Sequence, residues 1–201
     1  MELWAMRIDG LLDDAGERAL LKRLPAEQQR RLEQIRNRER RQESLWAWSL
    51  LRFALGGETL PETARTELGK PRFPARPELH FSLSHTDGAV LAGLSDRPIG
   101  VDIERLRPVG ERLLRRLACR EEAAFFRLWV RREARAKRLG TGIRTMLDRE
   151  PPLEPDEYYH PLDLFPGYVA GVACGEAEAP RLRIAEAARL LESVDFSREL
   201  R

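Results

Sequence analysis

Ile99-Gly100-Val101-Asp102-Ile103-Glu104 alternates branched apolar residues with small or acidic ones. A period of two predicts a strand with one greasy face and one acidic face. Side chains two apart on a strand point the same way, about 6.6 Å apart along it. Asp102 and Glu104 are therefore parallel carboxylates on one surface. Like charges that close repel unless a cation sits between them or one takes a proton. An oxygen-only ligand set with open positions suits Mg²⁺, which takes a few carboxylates plus water and phosphate oxygens. The same alternation is ordinary on the wet face of a half-buried sheet, so the flanking chain has to decide between the two readings.

Upstream, Asp96-Arg97-Pro98 breaks the chain before this strand. Leu79 to Ser84 reads as a strand with Phe81 and Leu83 on one face, Thr86-Asp87-Gly88 as a turn, and Ala89 to Ser95 as the returning hairpin partner. Gly69-Lys70-Pro71 is a turn, and Pro74 and Pro77 keep the chain extended after it. Glu2 to Asp9 alternates like a half-buried strand. Asp13 or Asp14 caps a short helix through Leu24, and Pro25 opens one long helical stretch from about Ala26 to Leu55, closed by Gly56-Gly57.

Downstream the plan repeats. The acidic strand takes the place of the Glu2 to Asp9 strand. Leu113 to Ala118 is a short helix, and Glu121 to Leu139 a longer one ended by Gly140-Thr141-Gly142. Glu150 to Pro166 is Pro-rich and acidic and reads as a loop. Arg183 onward reads as a closing strand or helix with a frayed tail at Ser197 to Arg201. Ala92-Gly93-Leu94 is echoed by Ala170-Gly171-Val172, and Leu45-Trp46 by Leu128-Trp129. The expected fold is α+β: two similar lobes in a pseudo-twofold arrangement, residues 1–98 and 99–201, each a small antiparallel sheet packed with a long helix. The acids fall in the second lobe, and the site is expected at the interface.

Hydrophobic residues make up 42% of the 201-residue chain and charged residues 34%, the balance of a soluble protein with a real core. No run approaches the roughly 20 apolar residues of a membrane span. Met1-Glu2-Leu3-Trp4 has no basic leader, so no signal peptide is expected. Cys119 and Cys174 stand alone without CxxC spacing, which predicts a reduced, cytoplasmic protein. Net charge is only +2, yet Arg105 to Arg144 carries thirteen Lys and Arg against four Glu, and Arg30 to Arg41 is a second basic run. Such patches favour phosphate-rich molecules, acidic proteins or nucleic acid, and are also what solvated helix faces look like.

Three further clusters carry chemistry. In Phe81-Ser82-Leu83-Ser84-His85 a histidine follows a strand, where it can hydrogen-bond a phosphate. No acid is placed nearby to activate Ser84, and there is no GxSxG elbow. Trp129, Glu133 and Lys137 are spaced i, i+4, i+8 and share one helix face. A Glu four residues before a Lys is also an ordinary helix pair, worth about 0.2–0.5 kcal/mol. Gly69-Lys70-Pro71 presents one ammonium on a turn.

Taken in order, Gly69-Lys70-Pro71, Phe81-Ser82-Leu83-Ser84-His85, Gly100-Val101-Asp102-Ile103-Glu104 and Trp129 with Glu133 and Lys137 closely resemble the 4′-phosphopantetheinyl transferase superfamily. The length and two-lobe plan resemble its single-chain, pseudo-dimeric type, which activates carrier proteins of peptide and polyketide synthases. The resemblance runs from about Gly69 to Gly142. It implies transfer of 4′-phosphopantetheine from coenzyme A to a serine of an apo acyl or peptidyl carrier protein, releasing 3′,5′-ADP. It further implies that Asp102, Glu104 and Glu133 hold Mg²⁺ against the coenzyme A pyrophosphate. Glu133, directly or through a metal-bound water, takes the serine proton, and Lys137 serves the leaving phosphate. Ser84 and His85 contact the pyrophosphate or 3′-phosphate, and Lys70 and Pro71 line the adenine-nucleotide side.

The first lobe departs from the pattern. Gln28 and Glu43 fall where relatives carry basic residues that grip the 3′-phosphate, with Arg31, Arg40 or Arg41 as substitutes, and Arg132 stands where relatives have Lys. The sequence also admits two other readings: a relative that binds coenzyme A or a carrier protein without turnover, and a basic nucleic-acid-binding domain. The second has no helix-turn-helix, zinc spacing or aromatic RNA-binding motif behind it. The leading reading expects no nucleic acid, no membrane and a monomer, since two lobes in one chain supply the pairing that shorter relatives achieve between subunits.

Overall fold

The computed structural model describes residues 1–146 and 150–193; the expected frayed tail at Ser197 to Arg201 lies outside them. In chain order the elements are β1 (Glu2–Arg7), α1 (Asp14–Leu21), α2 (Ala26–Glu33), α3 (Arg38–Ala54), β2 (Ala64–Arg65), β3 (Pro71–Arg72), β4 (His80–Thr86), β5 (Ala89–Ser95), β6 (Gly100–Arg105), α4 (Glu111–Arg116), α5 (Glu122–Leu139), a 3₁₀ turn (Ile143–Met146), β7 (Tyr158–Leu162), β8 (Tyr168–Cys174), β9 (Arg181–Ala185) and α6 (Ala187–Glu192).

Two main sheets form, with strand orders β4-β5-β1-β9 and β6-β8-β7. Strand alternation dictates how they stack. Trp4 and Met6 of β1, with Val90, Ala92 and Leu94 of β5, face Leu45, Trp48 and Leu51 of α3 in one core. Leu3, Ala5, Ala89 and Leu91, from the same two strands, face Ile99, Val101, Ile103, Ala170 and Val172 of the second sheet in another. The order of layers is therefore α3, first sheet, second sheet, α5. The greasy face expected of the Ile99 stretch is the inner face of this sheet pair, and burying each such side chain contributes about 1.5–3 kcal/mol. The order β1-β5-β4 in the first half corresponds to β6-β8-β7 in the second, with α3 and α5 as the companion helices.

Three expectations change. The long stretch from Ala26 to Leu55 is two helices: α2 stops at Gln34, and the Asn37 side chain accepts the Arg40 N–H at 2.8 Å to start α3. The first sheet is mixed, because β9 joins β1 in parallel. The Glu150 to Pro166 stretch is not all loop. It contains β7, an edge strand, and the edge position is what lets Pro161 sit in it without costing a ladder bond.

β6 is gripped from two sides. An added Cβ at Gly100 would lie 2.0 Å from the Ala134 carbonyl oxygen and 2.3 Å from the Arg138 nitrogen, so β6 runs directly against the α5 backbone. On the other side β4 has no ladder with β6. Instead Ser82 Oγ, Ser84 Oγ and Thr86 Oγ1 accept the N–H groups of Val101 (3.0 Å), Ile103 (3.3 Å) and Arg105 (3.3 Å). Hydroxyls at every second residue of one strand thus satisfy the edge donors of the next, groups that are costly to leave bare when buried.

Candidate active site

A cavity of about 310 Å³ opens between α3, the Gly69 turn, β4 and α5, lined among others by Trp48, Lys70, Pro71, His85, Glu133 and Lys137. Five of the residues singled out in the sequence therefore share one wall system. Glu133 and Lys137 reach it from successive turns of α5, while Trp129 of the same series stacks on Phe125 with ring centroids 5.8 Å apart.

Asp102 is buried, on the face of β6 that α5 covers. Its Oδ1 accepts both Lys137 Nζ and Ser84 Oγ at 2.7 Å. Its Oδ2 is buried and accepts nothing from the described residues. Glu104, one strand repeat on, accepts Arg107 at 2.7 Å and Thr86 Oγ1 at 3.4 Å. Burial pushes the Glu133 carboxyl above the usual carboxylate range; the Lys137 ammonium opposes this, and the negative charges of Asp102 and Glu104 add to it. The three carboxylates are thus within electrostatic reach of each other.

Among the described residues no three His, Cys, Asp or Glu side chains are gathered closely enough to hold a metal ion. Lys137 and Arg107 supply the compensating charge instead. The donor chemistry nevertheless fits a hard divalent cation: three carboxylates, no sulfur, and one buried anionic oxygen without a partner.

Ser84 is not part of the cavity lining; its hydroxyl holds Asp102 in place. Lys70 is in the lining, but its ammonium donates to the carbonyls of Ile99 (3.0 Å) and Arg138 (2.8 Å), tying the turn to the start of β6 and the last turn of α5. Burial, and then the charge of Arg138, pushes Lys70 down to about 8. His85 Nδ1 lies 3.3 Å from Glu43 Oε2. Of the candidate substitutes, Arg31 pairs with Glu27 and Arg41 with Glu17, and neither Arg31, Arg40 nor Arg41 lines the cavity. Gln28 is buried beside Arg65 and Pro71.

Sequence reasoning missed Arg107 and Thr86. The hydroxyl at every second position from Ser82 to Thr86 was the available signal for Thr86; for Arg107 the signal was its i+3 spacing from Glu104.

No protein-family model matches the chain. Curated relatives do. Over 88 residues the chain is 40% identical to 4′-phosphopantetheinyl transferase psf-1 of Bacillus pumilus, covering 37% of this chain and 38% of that one. It is 30% identical over 95 residues to 4′-phosphopantetheinyl transferase Sfp of Bacillus subtilis strain 168, covering 41% and 42%. A phosphopantetheinyl transferase of Thraustochytrium is 31% identical over 185 residues, 74% of this chain and 64% of that one. The matches therefore span less than two thirds of each of these relatives. Over these stretches the chain is similar to members of the 4′-phosphopantetheinyl transferase superfamily, Sfp-like ones among them. Among the described residues no helix is long and apolar enough to cross a membrane.

Proposed function

We propose that this chain transfers 4′-phosphopantetheine from coenzyme A to a serine hydroxyl of an apo acyl or peptidyl carrier protein, releasing 3′,5′-ADP. The observation that carries this reading is the meeting of Glu133, Lys137 and, through Lys137, buried Asp102 at the cavity that Lys70, Pro71 and His85 also line. The serine oxygen attacks the phosphorus bearing pantetheine, the phosphoanhydride bond to 3′,5′-ADP breaks, and the serine proton passes to Glu133. A carboxylate held above the usual range is a stronger base than an exposed one, which suits that role. Lys137 stands one helical turn from Glu133 and neutralises charge on the departing phosphate.

Asp102, Glu104 and Glu133 would hold Mg²⁺, which supplies charge neutralisation at the pyrophosphate oxygens. The corresponding strand orders of the two halves support a pseudo-twofold pair of lobes, 1–98 and 99–201, with the cavity at their seam. A monomer follows from that pairing, and a cytoplasmic setting from the two unpaired thiols. The direct test is product analysis. Coenzyme A, Mg²⁺ and an apo carrier should release 3′,5′-ADP in equal amount to the carrier modified; release without carrier, or none with several carriers, would overturn the proposal.

A further inference from the structure

Asp102 and Glu104 each hold a cation of the chain's own. Asp102 Oδ1 accepts Lys137 Nζ at 2.7 Å, and Glu104 Oε2 accepts Arg107 Nη1 at 2.7 Å. The two pairs differ in how firmly they are set. The Asp102 side chain is buried and Lys137 comes from the body of α5. Arg107 belongs to the segment between β6 and α4, and its side chain is 53% exposed against 20% for Glu104. The other arginine beside Glu104, Arg105, is turned to Asp87.

The backbone around Arg107 is held. The Leu106 N–H donates to the Gly167 carbonyl at 2.8 Å, and Pro108 restricts the chain on the other side. The side chain, by contrast, has contacts that do not need Glu104. Its guanidinium lies 4.9 Å from the centroid of the Phe126 ring, and Nη1 also donates to the Arg105 carbonyl at 3.0 Å. Arg107 can therefore leave the carboxylate by a side-chain movement alone.

An arginine keeps its charge at every working pH, so it cannot make way by losing a proton. A cation can reach Asp102 through Oδ2, which has no partner, while Lys137 keeps Oδ1. At Glu104 it meets the guanidinium on Oε2 and the repulsion of a like charge.

We propose that Arg107 is a built-in competitor of the metal at Glu104: it lowers the affinity of the Asp102, Glu104 and Glu133 group for a divalent cation and is displaced from Glu104 when the cation binds. Resting on the metal reading of these acids but not on the transfer step, this assignment makes Arg107 a tuning residue that acts through Glu104.

The experiment titrates the full chain calorimetrically with Mg²⁺ alone, in the native protein, Arg107→Gln, Arg107→Lys and Arg105→Gln. Arg107→Gln is expected to bind Mg²⁺ at least about threefold more tightly, within the range that a partly exposed ion pair is worth. Arg107→Lys keeps the charge and should stay within about twofold of native. Arg105→Gln removes the same charge two residues away and leaves the Glu104 pair intact, so screening should hold its effect under about twofold. The urea midpoint against Mg²⁺ concentration gives a second readout: it should begin to rise at lower Mg²⁺ in Arg107→Gln than in the native protein. An Arg107→Gln affinity within about twofold of native, or an equal gain in Arg105→Gln, overturns the inference and leaves the metal reading. Binding of Mg²⁺ by none of the four proteins overturns both. Affinities that move as stated while no carrier is modified keep the inference and remove the transferase reading.

Discussion

Lys137 Nζ donates at 2.7 Å to the same Asp102 oxygen that accepts the Ser84 hydroxyl at 2.7 Å. Three elements, α5, β4 and β6, thus converge on one carboxylate atom. Asp102 Oδ1 is spent on holding the elements together, and Oδ2 faces inward with no partner among the described residues. A buried carboxylate oxygen without a donor is costly, unless a cation completes it in the working enzyme.

Replacing Asp102 by Asn keeps the shape and an acceptor for Ser84 but removes the charge. Transfer should fall by about 10²-fold or more, in the range seen when one charge-stabilising group is lost. Circular dichroism should remain native. Initial rates by carrier mass check this; near-native rates would show that the charge of Asp102 takes no part.

Lys137→Ala separates turnover from binding. Its ammonium borders the cavity and is 30% exposed, so water can partly replace it in the ground state. We expect kcat to fall by about 10²-fold with coenzyme A affinity changed by less than about threefold, the pattern of an interaction made mainly in the transition state. A large rise in the calorimetric Kd with unchanged kcat would make Lys137 a ground-state clamp.

Lys70 gives a pH signature in stability. Its folded pKa, about 8, lies below the ordinary lysine value of 10.5. Below pH 8 the lysine is charged in both states, and burying the charge costs its full amount. Between about 8 and 10.5 the unfolded chain binds the proton and the folded chain does not, so stability rises with pH. Relative to Lys70→Met, the native protein should gain stability across that window in urea titrations. A constant difference between the two would contradict the assignment.

Gly100→Ala tests how tightly β6 is pressed to α5. The new Cβ would meet backbone atoms at 2.0 and 2.3 Å, which a rotamer change cannot relieve. Overpacking of this kind costs about 1–3 kcal/mol or more. Because β6 carries Asp102 and α5 carries Lys137, transfer should fall along with the denaturation midpoint. A stable and active alanine variant would show that strand and helix part easily.

Arg135 is a structural counterpart on the same helix. Fully buried, it donates to both oxygens of Glu157 at 2.9 and 2.8 Å, to Glu150 at 2.7 Å, and to the carbonyls of Pro151 and Pro152. Arg135→Met leaves Glu157 buried without its partner, so a loss of about 3–5 kcal/mol in urea unfolding is expected. A loss under about 1 kcal/mol would mean that the 150–157 segment relaxes to admit water.

The alternation from Ile99 to Glu104 gave the second sheet its inner face and placed both acids correctly on the outer one, because a period of two is a local property. The i, i+4 spacing likewise brought Glu133 and Lys137 to one wall. What the sequence hid depends on partners far along the chain. Nothing local shows that Gly100 faces a helix backbone from residues 134–138, or that Lys70 reaches carbonyls at 99 and 138. The resemblance implies that Ser84 contacts phosphate together with His85, yet adjacent strand residues point opposite ways, and the Ser84 hydroxyl donates to Asp102. β7 is masked in the sequence by Pro161 and by the acidic, Pro-rich stretch before it; Pro161 is tolerated because β7 is an edge strand.

The most direct test weighs an apo carrier protein after incubation with the chain, coenzyme A and Mg²⁺. The carrier should gain the mass of one phosphopantetheine group, the gain should be lost when the carrier's attachment serine is replaced by alanine, and Asp102→Asn should slow it sharply. Unchanged mass across several apo carriers supplied with coenzyme A would overturn the transferase reading.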